Sequence, residues 1–217
     1  MVVLVKSRIE DGIGILTLAD EKRGNVLSPG LVEQAQAAHR EFIERGVRVA
    51  VLNSEGPAFC SGRDPEVVRV PGVPPAGAVL IGEFEQSPVS WVAAVDAPVI
   101  GAGIHLMSTC VDVIAGPNAR FRVPELRDGI YPRPVAAELA RIIGPRRTMK
   151  LLLTAEALSA SEAVAAGLVG ELVPSNDLTA HVTTRAQSLL SLGDDLLRTT
   201  RDGWHVRFGT RPADEHP

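Results

Sequence analysis

Hydrophobic and polar positions along the chain change period several times, and these changes predict strands and helices in alternation. Residues 2–9 and 12–18 carry mostly apolar side chains on either side of the polar turn Glu10-Asp11-Gly12. Two such runs around a short turn are typical of a β-hairpin. The chain therefore begins with two predicted strands.

A helical period follows this hairpin. The apolar stripe consists of Leu31, Ala35, Ala38 and Phe42. Ser28 precedes Pro29, which predicts a helix with serine as its N-cap and proline in its first turn. Gly46 marks the end of that helix. His39 lies beside the stripe, and we expect it to be a surface residue.

The apolar run at residues 47–52 predicts a buried strand. Strand, helix and strand in succession predict a right-handed crossover within a parallel sheet. Ligands of such sheets collect at the carboxyl ends of the strands. The loops after Leu52 and Val95 are two such ends, and they are candidate binding loops.

The rest of the chain continues this α/β pattern. In order, it predicts a mobile loop at 65–77, a helix at 78–86, a strand at 89–95, a helix at 104–110, a strand at 111–115, an irregular or short extended piece at 119–125, helices at 135–143 and 148–153, a helix capped by Ser159 and ended by Gly167, a strand at 168–173, and an amphipathic helix at 179–192.

The turn Gly101-Ala102-Gly103 lies between a predicted strand and a helix that carries His105. Glycines let the backbone approach another group closely, and a helix start offers backbone N–H groups without internal partners. This stretch could therefore hold an oxyanion or a phosphate on main-chain donors. Close packing of helix on strand explains the glycines equally well.

Composition narrows the class of protein. The 217 residues are 45% hydrophobic and 22% charged, which is typical of one globular domain. A net charge of −4 argues against nucleic acid as a partner. The spacing of Cys60 and Cys110 predicts neither a metal site nor a disulfide framework, so we expect two small buried hydrophobes. We expect no membrane span and no signal peptide, and a cytoplasmic location.

Several short motifs, taken together, resemble the crotonase superfamily, the enoyl-CoA hydratase/isomerase family. They occur in the same order as in the family. They are residues 22–27 (KRGNVL), 58–64 (AFCSGRD), 92–95 (VAAV) followed by the turn 101–103 (GAG), 110–112 (CVD), 124–125 (PE) and 163–169 (AVAAGLV). The second of these is the most specific. The ordered set makes a chance match improbable.

The resemblance implies a fold and a ligand. The fold would be an α/β crotonase-like ββα spiral core at residues 1–174, with a short helical C-terminal region at 175–217 that has a disordered end. The ligand would be an acyl-CoA thioester in fatty acid metabolism, with no separate cofactor and no metal. The assembly would be a homotrimer or hexamer. The CoA-binding residues would be Lys22, Arg23, Val26, Ala58, Ser61, Gly62 and Asp64.

The resemblance also implies a chemistry. The backbone N–H groups of Arg63 and Ala102 would hold the thioester oxygen as an enolate forms. Glu125 matches the family's carboxylate after proline. His105 stands where hydratases of the family have a second glutamate, and it is either a general base or a pocket-wall histidine. Glu125 could otherwise be a cap or an ion-pair partner of a nearby arginine.

Four departures from the family pattern leave the reaction open. They are the missing second glutamate, the alanine at position 102, the segment Tyr131-Pro132-Arg133-Pro134 in place of a glycine-rich stretch, and the short tail after Pro174. One retained carboxylate favours double-bond isomerisation, or hydration with His105 as a substitute base. The alternatives are a catalytically silent acyl-CoA-binding homologue, and a decarboxylase or thioesterase on the same scaffold.

Overall fold

The computed structural model describes residues 2–65, 75–197 and 199–200, and it confirms the predicted α/β class. The strands are β1 (Val5–Glu10), β2 (Ile13–Leu18), β3 (Val49–Ser54), β4 (Ser90–Val95), β5 (Pro98–Ile100), β6 (Asp112–Ala115), β7 (Arg120–Arg122), β8 (Leu158–Ser159) and β9 (Glu171–Leu172). The α-helices are α1 (Pro29–Glu44), α2 (Ala76–Glu85), α3 (Ala102–Ser108), α4 (Arg133–Ile143), α5 (Pro145–Thr154), α6 (Ala160–Ala166) and α7 (Leu178–Leu190).

Six strands form the main sheet in the order β1-β2-β3-β4-β6-β9. The hairpin pair β1–β2 is antiparallel, and every other pair in this sheet is parallel. Helix α1 connects the parallel strands β2 and β3, as the predicted crossover requires. Parallel strands put their carboxyl ends at one edge, and the loops after β3 and β4 therefore lie at the same edge.

Apolar side chains cover both faces of this sheet. On one face Leu16, Leu52 and Trp91 belong to a large cluster with residues of α1 to α6. On the other face Val182 and Ala186 of α7 pack against the strands. Burying a large apolar side chain contributes about 1.5–3 kcal/mol, so this two-sided cover is the main source of stability.

A second, three-stranded sheet was not predicted from the sequence. Its order is β5-β7-β8, with β5 parallel to β7 and β7 antiparallel to β8. Each of these strands is only two or three residues long, too short to show a period in the sequence. This small sheet positions the turn after β5 and the segment after β7.

Most predicted elements are confirmed within about three residues at their ends. The Ser28 hydroxyl accepts a hydrogen bond from the Leu31 N–H, and Ser159 and Glu162 form a complete capping box. The predicted strand at 168–173 is shorter than expected and pairs as Glu171–Leu172 only. Most of the predicted mobile loop at 65–77 and the predicted disordered end lie outside the described residues, and the division at residue 174 stays a prediction.

The expectation that His39 lies on the surface is wrong. Its side chain is buried on α1, where Nε2 lies 2.7 Å from the Ser87 hydroxyl and the ring contacts Phe84 and Trp91. The helix turns far enough at this position to bring His39 under α2. A hydroxyl partner supplied 48 residues later in the chain is invisible to a local pattern.

Burial of His39 makes stability depend on pH. Burial lowers the pKa of its imidazole below the ordinary value of 6.5, against the opposing charge of Glu83. The unfolded chain therefore binds a proton that the folded chain does not, and the free energy of unfolding falls as pH drops below about 6.5. We expect His39→Gln to weaken this dependence in urea unfolding at about pH 8 and about pH 5.5. Equal pH dependence in both proteins would contradict the assignment.

Candidate active site

The first residue of the turn after β5, Gly101, must be glycine. Gly101 has φ 52° and ψ −118°, a conformation that residues with a side chain rarely adopt. A Cβ built on Gly101 would overlap Oε1 of Glu125, so the Glu125 carboxyl lies directly against the turn. The Gly101 N–H donates to the Arg122 carbonyl at 2.9 Å, which ties the turn to β7.

The Glu125 side chain reaches this turn from the segment that follows β7 in the small sheet β5-β7-β8. Glu125 is the first residue of a short 3-10 helix, Glu125–Asp128, that begins just after β7. Its side chain is partly buried, and its Oε2 is buried without a hydrogen-bond partner among the described residues. Burial raises the pKa of the Glu125 carboxyl, although its own backbone N–H and the positive charge of Arg63 act in the opposite direction. A carboxyl whose charged form is disfavoured in this way is a stronger base once it is ionised, which suits it to proton transfer.

The loop after β3 reaches the same turn. The Phe59 N–H donates to the Pro98 carbonyl, and the Ile100 N–H donates to the Cys60 carbonyl, each at 2.9 Å. A Cβ on Gly62, where φ is 85°, would lie 2.8 Å from the Ile100 carbonyl oxygen and 3.3 Å from the Ala102 nitrogen. Residue 62 must therefore lack a side chain for the loop to come this close.

Two backbone N–H groups are open at this junction. Ala102 is the first residue of α3, so its N–H has no partner inside the helix. The Arg63 N–H has no hydrogen bond to the described residues; the neighbouring Gly62 carbonyl accepts from Leu27 at 2.8 Å. The structure thus brings together the Glu125 carboxyl and the two amides singled out in the sequence. Close packing also occurs here, since a Cβ on Gly103 would lie 2.6 Å from the Cys60 carbonyl oxygen.

The residues expected to bind CoA lie around the same loop. Arg23 and Asp64 form an ion pair at 2.9 Å, with Asp64 buried. The Ser61 N–H donates to the Gly24 carbonyl, and Lys22 is exposed in the short 3-10 helix at Glu21–Arg23. Val26, Ala58 and Gly62 are buried residues, so they would meet a surface ligand through backbone atoms only.

Asn25 is a residue of this site that the sequence motif left without a role. It is fully buried with a positive φ of 57°, and its side-chain amide donates to the carbonyls of Glu55 and Ala58. It therefore joins the loop after β2 to the loop after β3. Its place in the KRGNVL segment was a signal for this role, because asparagine tolerates the left-handed region better than most residues.

His105 is paired with Glu85. Its Nε2 is 3.0 Å from Oε1 of Glu85 on α2, and its side chain is 15% exposed. Among the described residues it forms no hydrogen bond or ion pair with Glu125. The structure therefore places His105 in a pair with a carboxylate that sequence reasoning did not single out.

One cavity lies outside the junction. It has a volume of about 670 Å³, is lined by residues of α2, α4 and α7, among others, and contains none of the predicted site residues.

The two cysteines are free thiols. Burial raises the pKa of Cys60 and of Cys110 to about 12, so neither is a nucleophile at neutral pH. Within the described ranges no cluster of side chains could hold a metal ion, and no helix there is long and apolar enough to cross a membrane.

Comparison with known proteins gives a consistent result. The family model described as enoyl-CoA hydratase/isomerase matches residues 8–212. A probable mitochondrial enoyl-CoA hydratase of Dictyostelium discoideum is 32% identical over 187 residues, which cover 82% of this chain and 67% of that protein. The mitochondrial enoyl-CoA hydratase domain-containing protein 3 of Rattus norvegicus is 27% identical over 197 residues, covering 87% of this chain and 66% of that protein.

A solved structure agrees at the level of the fold. The crystal structure of an enoyl-CoA hydratase subunit from Geobacillus kaustophilus is 27% identical, with a TM-score of 0.86 over 96% of this chain and 84% of that chain. The expected spiral-core fold is thereby confirmed. The chain spans about two thirds of the length of the two curated relatives. Both are named as mitochondrial, so the cytoplasmic location stays a prediction.

Proposed function

Because this chain belongs to the enoyl-CoA hydratase/isomerase family, we propose that it acts on an acyl-CoA thioester through an enolate. The observation that carries this proposal is the position of the Glu125 carboxyl against Gly101, beside the open N–H groups of Arg63 and Ala102. Donors aimed at developing charge usually give the largest single contribution to catalysis. CoA enters as part of the substrate, and no separate cofactor is needed.

The proposed proton transfer uses one carboxylate. The thioester oxygen accepts hydrogen bonds from the N–H groups of Arg63 and Ala102. Glu125 takes a proton from the α-carbon; the C–H electron pair forms a double bond between the α-carbon and the carbonyl carbon, and the carbonyl π pair moves onto the oxygen. When the carbonyl forms again, the new double bond shifts to the α- and β-carbons, and the electron pair of the original β,γ double bond takes the proton back from Glu125 at the γ-carbon. Atoms and charges balance without any other reactant.

The environment of His105 favours isomerisation over hydration. Hydration requires a second group that activates a water molecule. The Nε2 of His105, the residue at the position of the family's second glutamate, is hydrogen-bonded to Glu85 at 3.0 Å, so only Nδ1 is left to activate a water molecule. Isomerisation requires only the one carboxyl that the structure holds at the turn. Hydration with His105 as base is the second candidate, and the names of the two relatives favour it.

Binding of the CoA portion would fall to the loop that precedes α1. Lys22 is exposed there, and Arg23 extends over the buried Asp64. Cations in this position suit the phosphates of CoA, and the Arg23 side chain is 44% exposed while it is paired with Asp64.

We further propose that the protein assembles as a homotrimer or hexamer. The mass of the purified protein in solution tests this.

Two absorbance assays on the purified protein test the reaction. With a 3-enoyl-CoA we expect a gain of conjugated enoyl-thioester absorbance, because the double bond moves next to the carbonyl. With crotonyl-CoA we expect no loss of that absorbance, because no water is added. Loss with crotonyl-CoA would make the protein a hydratase. Silence in both assays, with acyl-CoA still raising the melting temperature, would leave the binding homologue or another acyl-CoA reaction.

A further inference from the structure

The side chain of Arg63 is a cation at the site without a protein partner among the described residues. It is partly buried, yet its guanidinium forms no hydrogen bond or ion pair with residues 2–65, 75–197 or 199–200. Arg23, in the neighbouring loop, pairs with Asp64 at 2.9 Å. A guanidinium has five N–H donors, and none of the Arg63 nitrogens is fully withdrawn from solvent. The unpaired fork of Arg63 is thus available to a ligand.

The position of Arg63 links this charge to the acyl group. Its backbone follows Gly62, whose Cβ position is 3.3 Å from the Ala102 nitrogen. The side chain therefore starts at the amides proposed to hold the thioester oxygen. Its positive charge also acts on the Glu125 carboxyl, which is proposed to face the α-carbon. The Arg63 side chain therefore begins beside the proposed oxyanion hole, within electrostatic range of the proposed base.

A guanidinium favours planar anions with two oxygens, which it binds through paired N–H donors. An acyl-CoA offers two kinds of anion, the phosphates of CoA and, in a dicarboxylic acid half-thioester, a carboxylate on the acyl chain. Lys22 and Arg23 lie in the loop proposed for the phosphates. A simple fatty acyl chain would leave the Arg63 guanidinium unpaired.

We propose that the site prefers acyl-CoA thioesters whose acyl chain carries a second carboxylate, and that the Arg63 guanidinium binds this carboxylate. This inference rests on the proposed function, because it assumes an acyl-CoA ligand at the amides of Arg63 and Ala102. It adds a class of substrate to that function, and it makes Arg63 the residue that selects the class.

Binding of saturated thioesters tests this selection without turnover. Glutaryl-CoA and pentanoyl-CoA have the same chain length and differ in a terminal carboxylate, so the ratio of their dissociation constants isolates the carboxylate. We expect glutaryl-CoA to bind at least about tenfold more tightly by calorimetry, the effect of one charge-assisted hydrogen bond. Arg63→Gln keeps the backbone N–H, and we expect it to bring the ratio close to one.

Arg8→Gln removes the same charge from the exposed face of β1 and is the matched control, in which the ratio should stay unchanged. Equal affinities in the unmodified protein would overturn the inference and leave the proposed function standing. A loss of affinity for both thioesters in Arg63→Gln, with an unchanged ratio, would assign the guanidinium to the CoA phosphates and also overturn it. Failure of both thioesters to bind the unmodified protein would overturn the inference and the proposed function together.

Discussion

Replacing Glu125 with glutamine is expected to lower kcat/KM for the 3-enoyl-CoA about 10²- to 10⁴-fold, the range for loss of a general acid–base group. Glutamine has nearly the same shape, so it occupies the space against Gly101 but accepts no proton. The fold should survive. Burial already disfavours the charged form of this carboxyl, so a neutral amide should keep or raise the free energy of unfolding at neutral pH.

The pH profile gives this prediction a second readout. Because burial raises the pKa of Glu125, the carboxylate that serves as base should appear only above the ordinary value of 4.5, and kcat/KM should rise with pH through that raised pKa. Glu44→Gln changes an exposed carboxylate at the end of α1 and is the control. Turnover by Glu125→Gln at the level of this control would refute the proposed role.

Of the substitutions that add a single methyl group at the site, Gly101→Ala is expected to lower stability and activity the most. The new Cβ overlaps Oε1 of Glu125, and φ 52° with ψ −118° is a conformation in which alanine is strained. The backbone strain alone costs about 1–3 kcal/mol, and displacement of the carboxyl adds to it. We expect the free energy of unfolding in urea to fall by about 3–5 kcal/mol and the activity to be lost.

Gly46→Ala separates backbone strain from contact with the carboxyl. Gly46 also has a positive φ, 69°, but a Cβ there would meet nothing within 4 Å. This control should lose only about 1–2 kcal/mol, the cost of the left-handed conformation, and it should keep its activity. If both variants were destabilised equally and both stayed active, the close approach of Glu125 to the turn would be wrong.

The sequence was sufficient for elements whose signals are local. Ser28 and Ser159 indicate where their helices begin, because a capping hydroxyl accepts a hydrogen bond from the backbone N–H three residues later. The crossover from β2 through α1 to β3 follows from the change of period. The sheet β5-β7-β8 was missed because its strands are short and are joined across distant parts of the chain. His39 was misplaced for the same reason, since its partner comes from another element.

The sequence was sufficient to predict which residues belong to the candidate site, but the distances between them are known only from the fold. The motif around Gly62 and the Pro-Glu pair led to the Arg63 and Ala102 amides and to Glu125, which the structure then brings to one turn. The pair of His105 with Glu85 joins α3 to α2, and no spacing in the chain encodes it. Nor did the sequence show that the Arg63 guanidinium would lack a protein partner among the described residues.

The hydrogen bond from the Gly101 N–H to the Arg122 carbonyl makes the integrity of the site depend on the small sheet. The amide turn and the Glu125 carboxyl are carried by β5 and β7, which pair over only three residues each. A ladder this short would open early if it stood alone, but Val99 and Phe121 at its centre are fully buried in the same core as the main sheet. We therefore expect the amides of β5 and β7 to be protected from hydrogen exchange to the same degree as those of the main sheet. Catalytic activity should then be lost in the same denaturant transition that unfolds the whole chain.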